Sequence, residues 1–177
     1  MINIREHTSS SYAPRTWHNA AQGVTLAIAV DFSTAGERLT TKAAQKNGIV
    51  HLDARNFATG WLPAARELYK ALKEADCRVI NVAGNGIYTY SKHGFDQVDV
   101  NRMVQLVLAQ VHLYWTIKHI VSGGQTGSDL AGLIAAAKLD IECTGMWPKG
   151  YKMRFEDGVD RNHTPEQIME IINEYAD

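Results

Sequence analysis

Five short apolar runs, separated by longer segments with helical patterning, constrain the fold of this chain most strongly. They are Val24–Val30, Ile49–Leu52, Arg78–Ala83, Ile120-Val121 and Ile141–Cys143. Strands that are buried on both faces of a sheet give continuous apolar runs, and they need helical crossovers to stay parallel. We therefore predict an α/β fold: one doubly wound domain of about five mostly parallel strands with helices on both faces.

The segments between the runs predict helices over 37–46, 61–75, 99–117 and 130–139. The segment Asp99–Ile117 is apolar almost all round, so we expect a homo-oligomer, a dimer or a tetramer, to cover part of it. A last helix should begin after Thr164, where Thr164 and Gln167 form a capping-box pattern and Pro165 occupies the first helical position.

Charge and composition exclude several classes of protein. The 177 residues carry a net charge of -1, from 18 basic and 19 acidic side chains, which argues against nucleic acid as a partner. No apolar run reaches the ~18 residues that a membrane span needs. The first residues lack the basic and apolar segments of a signal peptide. We expect a cytoplasmic protein with two free thiols, Cys77 and Cys143.

The chain divides into an N-terminal arm, residues 1–22, and the α/β domain, residues 23–177. The arm is poor in core-forming residues, but Tyr12 and Trp17 are not typical of a free tail. It either packs across the chain's own surface or reaches a neighbouring subunit.

The loops that follow the strands should carry the ligand site, because ligands bind outside the carboxyl ends of parallel strands. The loop Ser122–Asp129 contains three glycines and leads into a helix, whose free amide groups and dipole favour an anion such as phosphate. Thr126 and Ser128 add hydroxyl groups. A tight turn capped by Ser128 or Asp129 would give the same pattern. The Asp129 carboxylate would compete with phosphate for the amides, or it could hold a ribose hydroxyl.

The other loops carry weaker signals. The segment Gly84-Asn85-Gly86 begins like a dinucleotide fingerprint, but Thr89 replaces the third glycine, so a plain turn is an alternative. Ser33 and Thr34 either cap the next helix or contact the ligand. Tyr88 and Trp147 either stack on a base or pack in the core. Lys149 adds positive charge that suits a phosphate.

Few residues are arranged for catalysis. The histidines show no metal-ligand spacing, so no metal site is predicted, and no serine lies in a nucleophile elbow. Asp129 and Glu156 are candidates for a general acid or base, although the Glu156-Asp157 pair is equally typical of a solvated loop.

Three segments of the sequence resemble the SLOG superfamily of Rossmann-like nucleotide-ligand-binding proteins. They are the strand and loop Ile120–Asp129, the Gly145–Gly150 segment and Glu156-Asp157-Gly158. The closest similarity is to the molybdenum cofactor carrier branch, whose strand is followed by SGGQTGxD, then WxPKG and EDG. Asn81–Gly84 resembles the NVAG of that branch, and Thr34–Thr40 its TGGTxLT loop. NVAG precedes GGQTG here, so we expect a circular permutation relative to that branch.

The resemblance implies a pocket for a nucleotide or pterin phosphate. Asn85-Gly86 replaces a Pro-Arg of the carrier branch, whose arginine would contact a phosphate. Arg38 and Arg154 are the candidates to replace that arginine. The cytokinin-activating phosphoribohydrolases of the superfamily carry PGGxGTxxE, from which this loop departs at Ser122, Thr126-Gly127 and Asp129. The residues predicted to bind ligand, from loops and resemblance together, are Ser33, Thr34, Gly36, Gly84, Asn85, Tyr88, Ser122, Gly123, Gly124, Gln125, Thr126, Gly127, Asp129, Trp147 and Lys149.

Three functions are compatible with the sequence. The first is binding of a phosphate-bearing nucleotide or nucleotide-derived small molecule, as a sensor, carrier or sequestering protein. The second is a nucleotide-processing hydrolase that cleaves an N-glycosidic or phosphate bond with Asp129 or Glu156. The third is an inhibitor or scaffold that acts through a protein partner.

Overall fold

A computed structural model describes all residues, 1–177, and contains a six-stranded parallel sheet. The strands are β1 (Ile2–Glu6), β2 (Val24–Ala29), β3 (Ile49–Asp53), β4 (Val79–Gly84), β5 (His119–Ser122) and β6 (Glu142–Trp147). They lie in the order β1-β6-β5-β4-β2-β3, and every neighbouring pair is parallel. A two-stranded antiparallel hairpin, β7 (Met153–Arg154) and β8 (Asp160–Arg161), lies outside the sheet.

Seven helices connect or follow the strands. They are α1 (Tyr12–Ala20), α2 (Ala35–Ala44), α3 (Phe57–Glu74), α4 (Ile87–Ser91), α5 (Gln97–Tyr114), α6 (Ser128–Lys138) and α7 (Pro165–Ala176), and a 3-10 turn, Ala54–Asn56, precedes α3. No helix is both long enough and apolar enough to cross a membrane.

The direction of each crossover decides on which face its helix lies. The connections β1-α1-β2 and β2-α2-β3 run one way along the sheet, and those through α3, α5 and α6 run the other way. Because parallel crossovers are right-handed, α1 and α2 cover one face, and α3, α5 and α6 cover the other. The contacts agree: α1 packs on α2, and α5 packs on both α3 and α6. The predicted Rossmann-like, doubly wound α/β domain is confirmed.

The core lies between the sheet and these helices. All six residues of β2 are buried, as the continuous apolar run predicts. Leu26, Ile80 and Ile120, on three neighbouring strands, are fully buried, together with Leu68 of α3 and Leu108 of α5. Burial of eight of the 18 residues of α5 explains part of the apolar Asp99–Ile117 segment, although Val98, Leu106, Leu113 and Tyr114 stay exposed.

The first 22 residues, expected to form an arm, pack across the chain's own surface. Residues Ile2–Glu6 add β1 to the edge of the sheet beside β6, in register with Cys143–Trp147. Helix α1 follows, with Arg15 and Asn19 buried. The continuous apolar runs did not predict this strand, because Ile2 and Ile4 alternate with polar residues. Such alternation is typical of a sheet edge rather than of a strand buried on both faces.

Candidate functional site

A polar pocket opens where the direction of the crossovers reverses. Strands β3, β2, β4, β5 and β6 follow a 2-1-3-4-5 order, in which the reversal falls between β2 and β4. The cavity of about 360 Å³ lies beyond the carboxyl ends of these two strands. It is lined by Tyr12, Arg15, Thr16, Asn19, Thr34, Gly36, Glu37, Thr40, Asn81, Ala83, Gly84, Asn85, Gly86, Tyr88, Thr89, Gly123, Gln125, Asp129 and Arg154.

Many of the residues that the sequence predicts to bind ligand share this pocket. The loops after β2, β4 and β5 all reach it, as expected for the carboxyl edge of a parallel sheet. The predicted residues that line the cavity are Thr34, Gly36, Gly84, Asn85, Tyr88, Gly123, Gln125 and Asp129. Those that do not line it are Ser33, Ser122, Gly124, Thr126, Gly127, Trp147 and Lys149.

Asn85 joins the two loops that flank the crossover reversal. Its Oδ1 atom accepts hydrogen bonds from the amides of Val30 and Asp31, both at 2.9 Å, and its Nδ2 atom donates to the Asp31 carbonyl at 3.0 Å. Gly84 permits this close approach, because a Cβ atom there would lie 1.8 Å from the Ile28 carbonyl oxygen. The side chain of Asn85 therefore fixes the pocket's shape, and the fingerprint-like pattern at this loop has a structural explanation.

Much of the loop between β5 and α6 is satisfied by the protein itself. The Gly127 amide donates to Gln97 Oε1 at 2.7 Å, and the Ser128 amide donates to the Asn85 carbonyl at 3.1 Å. The Thr126 hydroxyl donates to the Arg154 carbonyl. The amides of Gly127 and Ser128 are thus occupied, and the part of the loop that faces the cavity is Gly123 and Gln125.

Trp147 packs in the core and does not line the cavity. It is fully buried, and a Cβ atom at Gly124 would lie 2.3 Å from its indole ring. The glycine at 124 is therefore required by the tryptophan as well as by its own φ of +75°. Lys149 is exposed beyond the end of β6, and Ser33 closes a turn through its amide and hydroxyl groups, which both donate to Asp31 Oδ1.

Helix α1 supplies one wall of the pocket, which the sequence analysis missed. Its pocket-lining residues are Tyr12, Arg15, Thr16 and Asn19. Arg15 is 4% exposed, and its Nη1 atom donates to the carbonyl oxygens of Gly123 at 2.8 Å and Met146 at 3.2 Å. Burial lowers the pKa of Arg15, and the nearby Asp129 carboxylate opposes this effect. Tyr12 was noted as atypical of a free tail, but its position one helical turn from Arg15 gave no sign of a ligand site.

Two carboxyl groups with raised pKa values lie together in the pocket. Burial raises the pKa of Glu37 to about 8, and repulsion from Asp129 and Asp31 adds to the effect. Burial also raises the pKa of Asp129 to about 6, although Arg15 and the Gln125 amide oppose the shift. At neutral pH, Glu37 is therefore mostly a protonated acid and Asp129 mostly a carboxylate.

Glu37 is a site residue that sequence reasoning did not select. It is 4% exposed, and its Oε2 atom has no hydrogen-bond partner within the protein. Thr34 caps α2 by accepting a hydrogen bond from the Glu37 amide at 3.2 Å, which aims this first turn at the pocket. The available signal was the position of Glu37 in the Thr34–Thr40 segment, where the resembling loop carries threonine.

Glu156 lies outside this pocket. It is exposed and lines a second groove of about 420 Å³, with Asp157, Phe155, Ile171 and Tyr175 among its neighbours. Asp157 forms an ion pair with Arg161 at 2.6 Å. Of the two candidate acids from the sequence, only Asp129 shares the cavity with the other predicted residues. No group of three or more histidine, cysteine, aspartate or glutamate side chains is arranged to hold a metal ion.

The arginines expected to compensate for Asn85-Gly86 differ in position. Arg154 lines the cavity, where its guanidinium group pairs with Asp160 at 2.7 Å. Arg38 does not line it, and its guanidinium group donates to the Ser33 carbonyl. Arg15 and Arg154 are thus the two cationic side chains of the pocket.

Comparison with known proteins finds one similar family. Residues 120–172 match the model of the circularly permutated YpsA SLOG family, and this segment runs from β5 through the Gly-rich loop to α7. Neither a comparison with curated proteins nor one with solved structures found a match. The matched segment carries the GGQTG, WPKG and EDG motifs, and it lies within the Rossmann-like domain that the resemblance implies. This match, over about a third of the chain, supports membership of the SLOG superfamily.

Proposed function

We propose that the pocket binds a phosphate-bearing nucleotide or nucleotide-derived small molecule, such as a nucleotide or a pterin phosphate. The observation that carries the proposal is the composition of the cavity. Only 3 of its 19 lining residues are hydrophobic, and the polar ones include a buried arginine and two carboxyl groups. A cavity of about 360 Å³ is in the range that small ligands use. Membership of the superfamily supports the same ligand class.

The polar groups divide the pocket into regions of different chemistry. Arg15 and Arg154 offer cationic groups to an anionic part of the ligand. The Asp129 carboxylate repels phosphate, and both Glu37 and Asp129 suit hydroxyl or amine groups instead. Tyr88 is about one-third exposed at the cavity wall, where its ring can stack on a base. Gly123 and Gln125 are the remaining part of the Gly-rich loop that can approach the ligand.

Isothermal titration calorimetry with AMP, GMP, CMP and UMP tests the proposal. We expect at least one of them to bind with a micromolar to submicromolar Kd, and the parent nucleoside to bind at least tenfold more weakly because it lacks the phosphate. Arg66→Met, on the exposed face of α3, is the surface control for variants of Arg15. Absence of heat and of thermal stabilisation at millimolar concentrations of every nucleotide would contradict the proposal.

A hydrolase is the second candidate, and the pair of carboxyl groups favours it. Carboxyl groups whose pKa values are pushed apart can serve as acid and base in one reaction. In N-glycosidic hydrolysis, Asp129 would accept a proton from the attacking water while the oxygen of that water bonds to the anomeric carbon. Glu37 would donate its proton to the base nitrogen as the glycosidic bond breaks.

Release of free base and ribose 5-phosphate from nucleoside monophosphates, followed by chromatography, tests the second candidate. An enzyme should show a rate maximum between pH 6 and 8, set by the pKa values of about 6 and about 8. Asp129→Asn should lower turnover by about 10²–10⁴-fold. The control Asp76→Asn, at an exposed position, should not. Product formation no faster than without protein would exclude this candidate and leave the binding function.

A further inference from the structure

We propose that Glu37 and Asp129 together bind a pair of adjacent hydroxyl groups on the ligand, so that the pocket selects ribonucleotides over 2′-deoxyribonucleotides. The inference rests on the proposed function, and it assigns a specificity to one end of the same pocket.

The first observation is the unpartnered Oε2 atom of Glu37. This side chain is 4% exposed, and a buried polar atom without a partner is costly unless a ligand supplies one. The carboxyl group lines the cavity from the first turn of α2. A ligand group that hydrogen-bonds with this atom therefore gains more than it would at a solvated site.

The second observation is the composition of the surrounding wall. Asp129 repels Glu37 electrostatically, and the same cavity is also lined by Thr40, by Asn81 and by Arg15, whose charge acts on Asp129. Asn81 Nδ2 is engaged with Thr25 Oγ1 at 3.0 Å. The ionised Asp129 carboxylate disfavours phosphate by charge repulsion, and the neutral Glu37 carboxyl gives it no attraction. Their oxygen atoms instead accept hydrogen bonds from hydroxyl groups.

The third observation concerns the proton that the pair retains. With one carboxyl protonated and the other ionised, the pair presents several acceptor oxygens and a single O–H donor. Each hydroxyl of a diol can donate to one carboxyl, and one of them can also accept from the Glu37 O–H group. Rossmann dinucleotide sites use an acidic side chain for a ribose hydroxyl in this way. Removal of one hydroxyl would leave a buried carboxyl oxygen unpaired again.

Calorimetric titration with ribonucleotides and their 2′-deoxy counterparts tests the inference. The probes are AMP, GMP, CMP and UMP, each with the matching 2′-deoxynucleotide. We expect every ribonucleotide that binds to do so at least tenfold more tightly than its deoxy form. Glu37→Leu should reduce this ratio toward one, because the leucine can pair with neither hydroxyl. Glu37→Gln, which keeps a donor and an acceptor, should retain most of it. Glu74→Gln, on the exposed end of α3, is the matched surface control.

The outcomes separate this inference from the proposed function. Equal affinity for the ribo and deoxy forms in the unmodified protein would overturn the inference and leave nucleotide binding intact. A preference for ribose that persists unchanged in Glu37→Leu would also overturn it, provided that circular dichroism shows the variant to be folded. Binding of neither form at millimolar concentration would overturn both proposals.

Discussion

The carboxyl group of Glu37, at the start of α2, lines the same cavity as the Asp129 carboxylate of α6, and each acid is shifted toward its protonated form by burial. Helices α2 and α6 follow different strands and lie on opposite faces of the sheet. The two side chains share the cavity because both helices begin at the carboxyl edge, beside the crossover reversal. This pairing sets the chemistry of the pocket.

Replacing Glu37 by glutamine should change how stability depends on pH. The folded-state pKa of Glu37, about 8, exceeds its ordinary value of 4.5, so the folded protein holds more protons than the unfolded chain between these two values. Stability therefore falls as pH rises through this window. Glu37→Gln should be more stable than the unmodified protein at pH 8, by an amount of a few kcal/mol, and nearly equal to it at pH 4.5.

Urea denaturation at pH 4.5, 6 and 8 measures this effect. Asp129 contributes a loss in the same direction between its ordinary 3.8 and about 6, which remains in the variant. Parallel pH profiles for Glu37→Gln and the unmodified protein would show that the Glu37 carboxyl is not buried as described.

Replacing Arg15 by methionine should weaken nucleotide binding at least tenfold, because the pocket loses its buried cation. The variant should also lose stability, since the carbonyl oxygens of Gly123 and Met146 lose their donor. Calorimetric titrations of Arg15→Met and of Arg66→Met with nucleotide distinguish a specific loss of binding from the general effect of removing one positive charge. Unchanged affinity in a folded Arg15→Met protein would remove α1 from the site.

Two glycines near the pocket should respond differently to alanine. Gly127 has a φ of +81°, and a Cβ atom would lie 2.2 Å from the Asn85 carbonyl oxygen, so Gly127→Ala should cost about 3 kcal/mol or more. Gly36 lies in the first turn of α2 with nothing within 4 Å of its Cβ position. Gly36→Ala should therefore be neutral or stabilising by up to about 1 kcal/mol. Thermal denaturation of both variants checks this contrast, and equal losses would refute the loop geometry.

The C-terminal helix offers a test of local structure far from the pocket. Thr164 and Gln167 form the predicted capping box, in which the Thr164 hydroxyl accepts from the Gln167 amide at 3.3 Å and Gln167 Oε1 accepts from the Thr164 amide at 2.9 Å. Thr164→Ala should cost about 1 kcal/mol, and Thr164→Ser should cost much less. Denaturant unfolding with no difference between the two variants would contradict this cap.

The sequence predicted the sheet because its central strands are buried on both faces and leave continuous apolar runs. It predicted the edge of the sheet at which the cavity opens, since Gly84, Gly123 and Thr34 lie at or after the ends of such strands. It did not predict β1, whose two isoleucines alternate with polar residues at a sheet edge. The wall formed by α1 was therefore missed as well.

The remaining differences come from contacts that only the folded chain shows. A tryptophan after a strand is compatible with a stacking platform or a core residue, and the space beside Gly124 makes Trp147 a core residue. The Gly-rich loop predicted that the Gly127 amide could bind phosphate, but this amide donates its hydrogen bond to the side chain of Gln97, from α5. In the sequence, Glu37 is an ordinary acidic residue in the first turn of a helix. Only the folded chain shows that it lines the same cavity as Asp129.

Mass spectrometry of the small molecules released when the purified protein is denatured tests the central claim most directly. The account predicts an intact phosphate-bearing nucleotide or nucleotide derivative, present in the unmodified protein and depleted in Arg15→Met but not in Arg66→Met. If nothing is retained, the unmodified protein should instead take up added ribonucleotide during dialysis. A protein that neither retains nor takes up such a molecule, or that holds it equally well in Arg15→Met, would contradict the account.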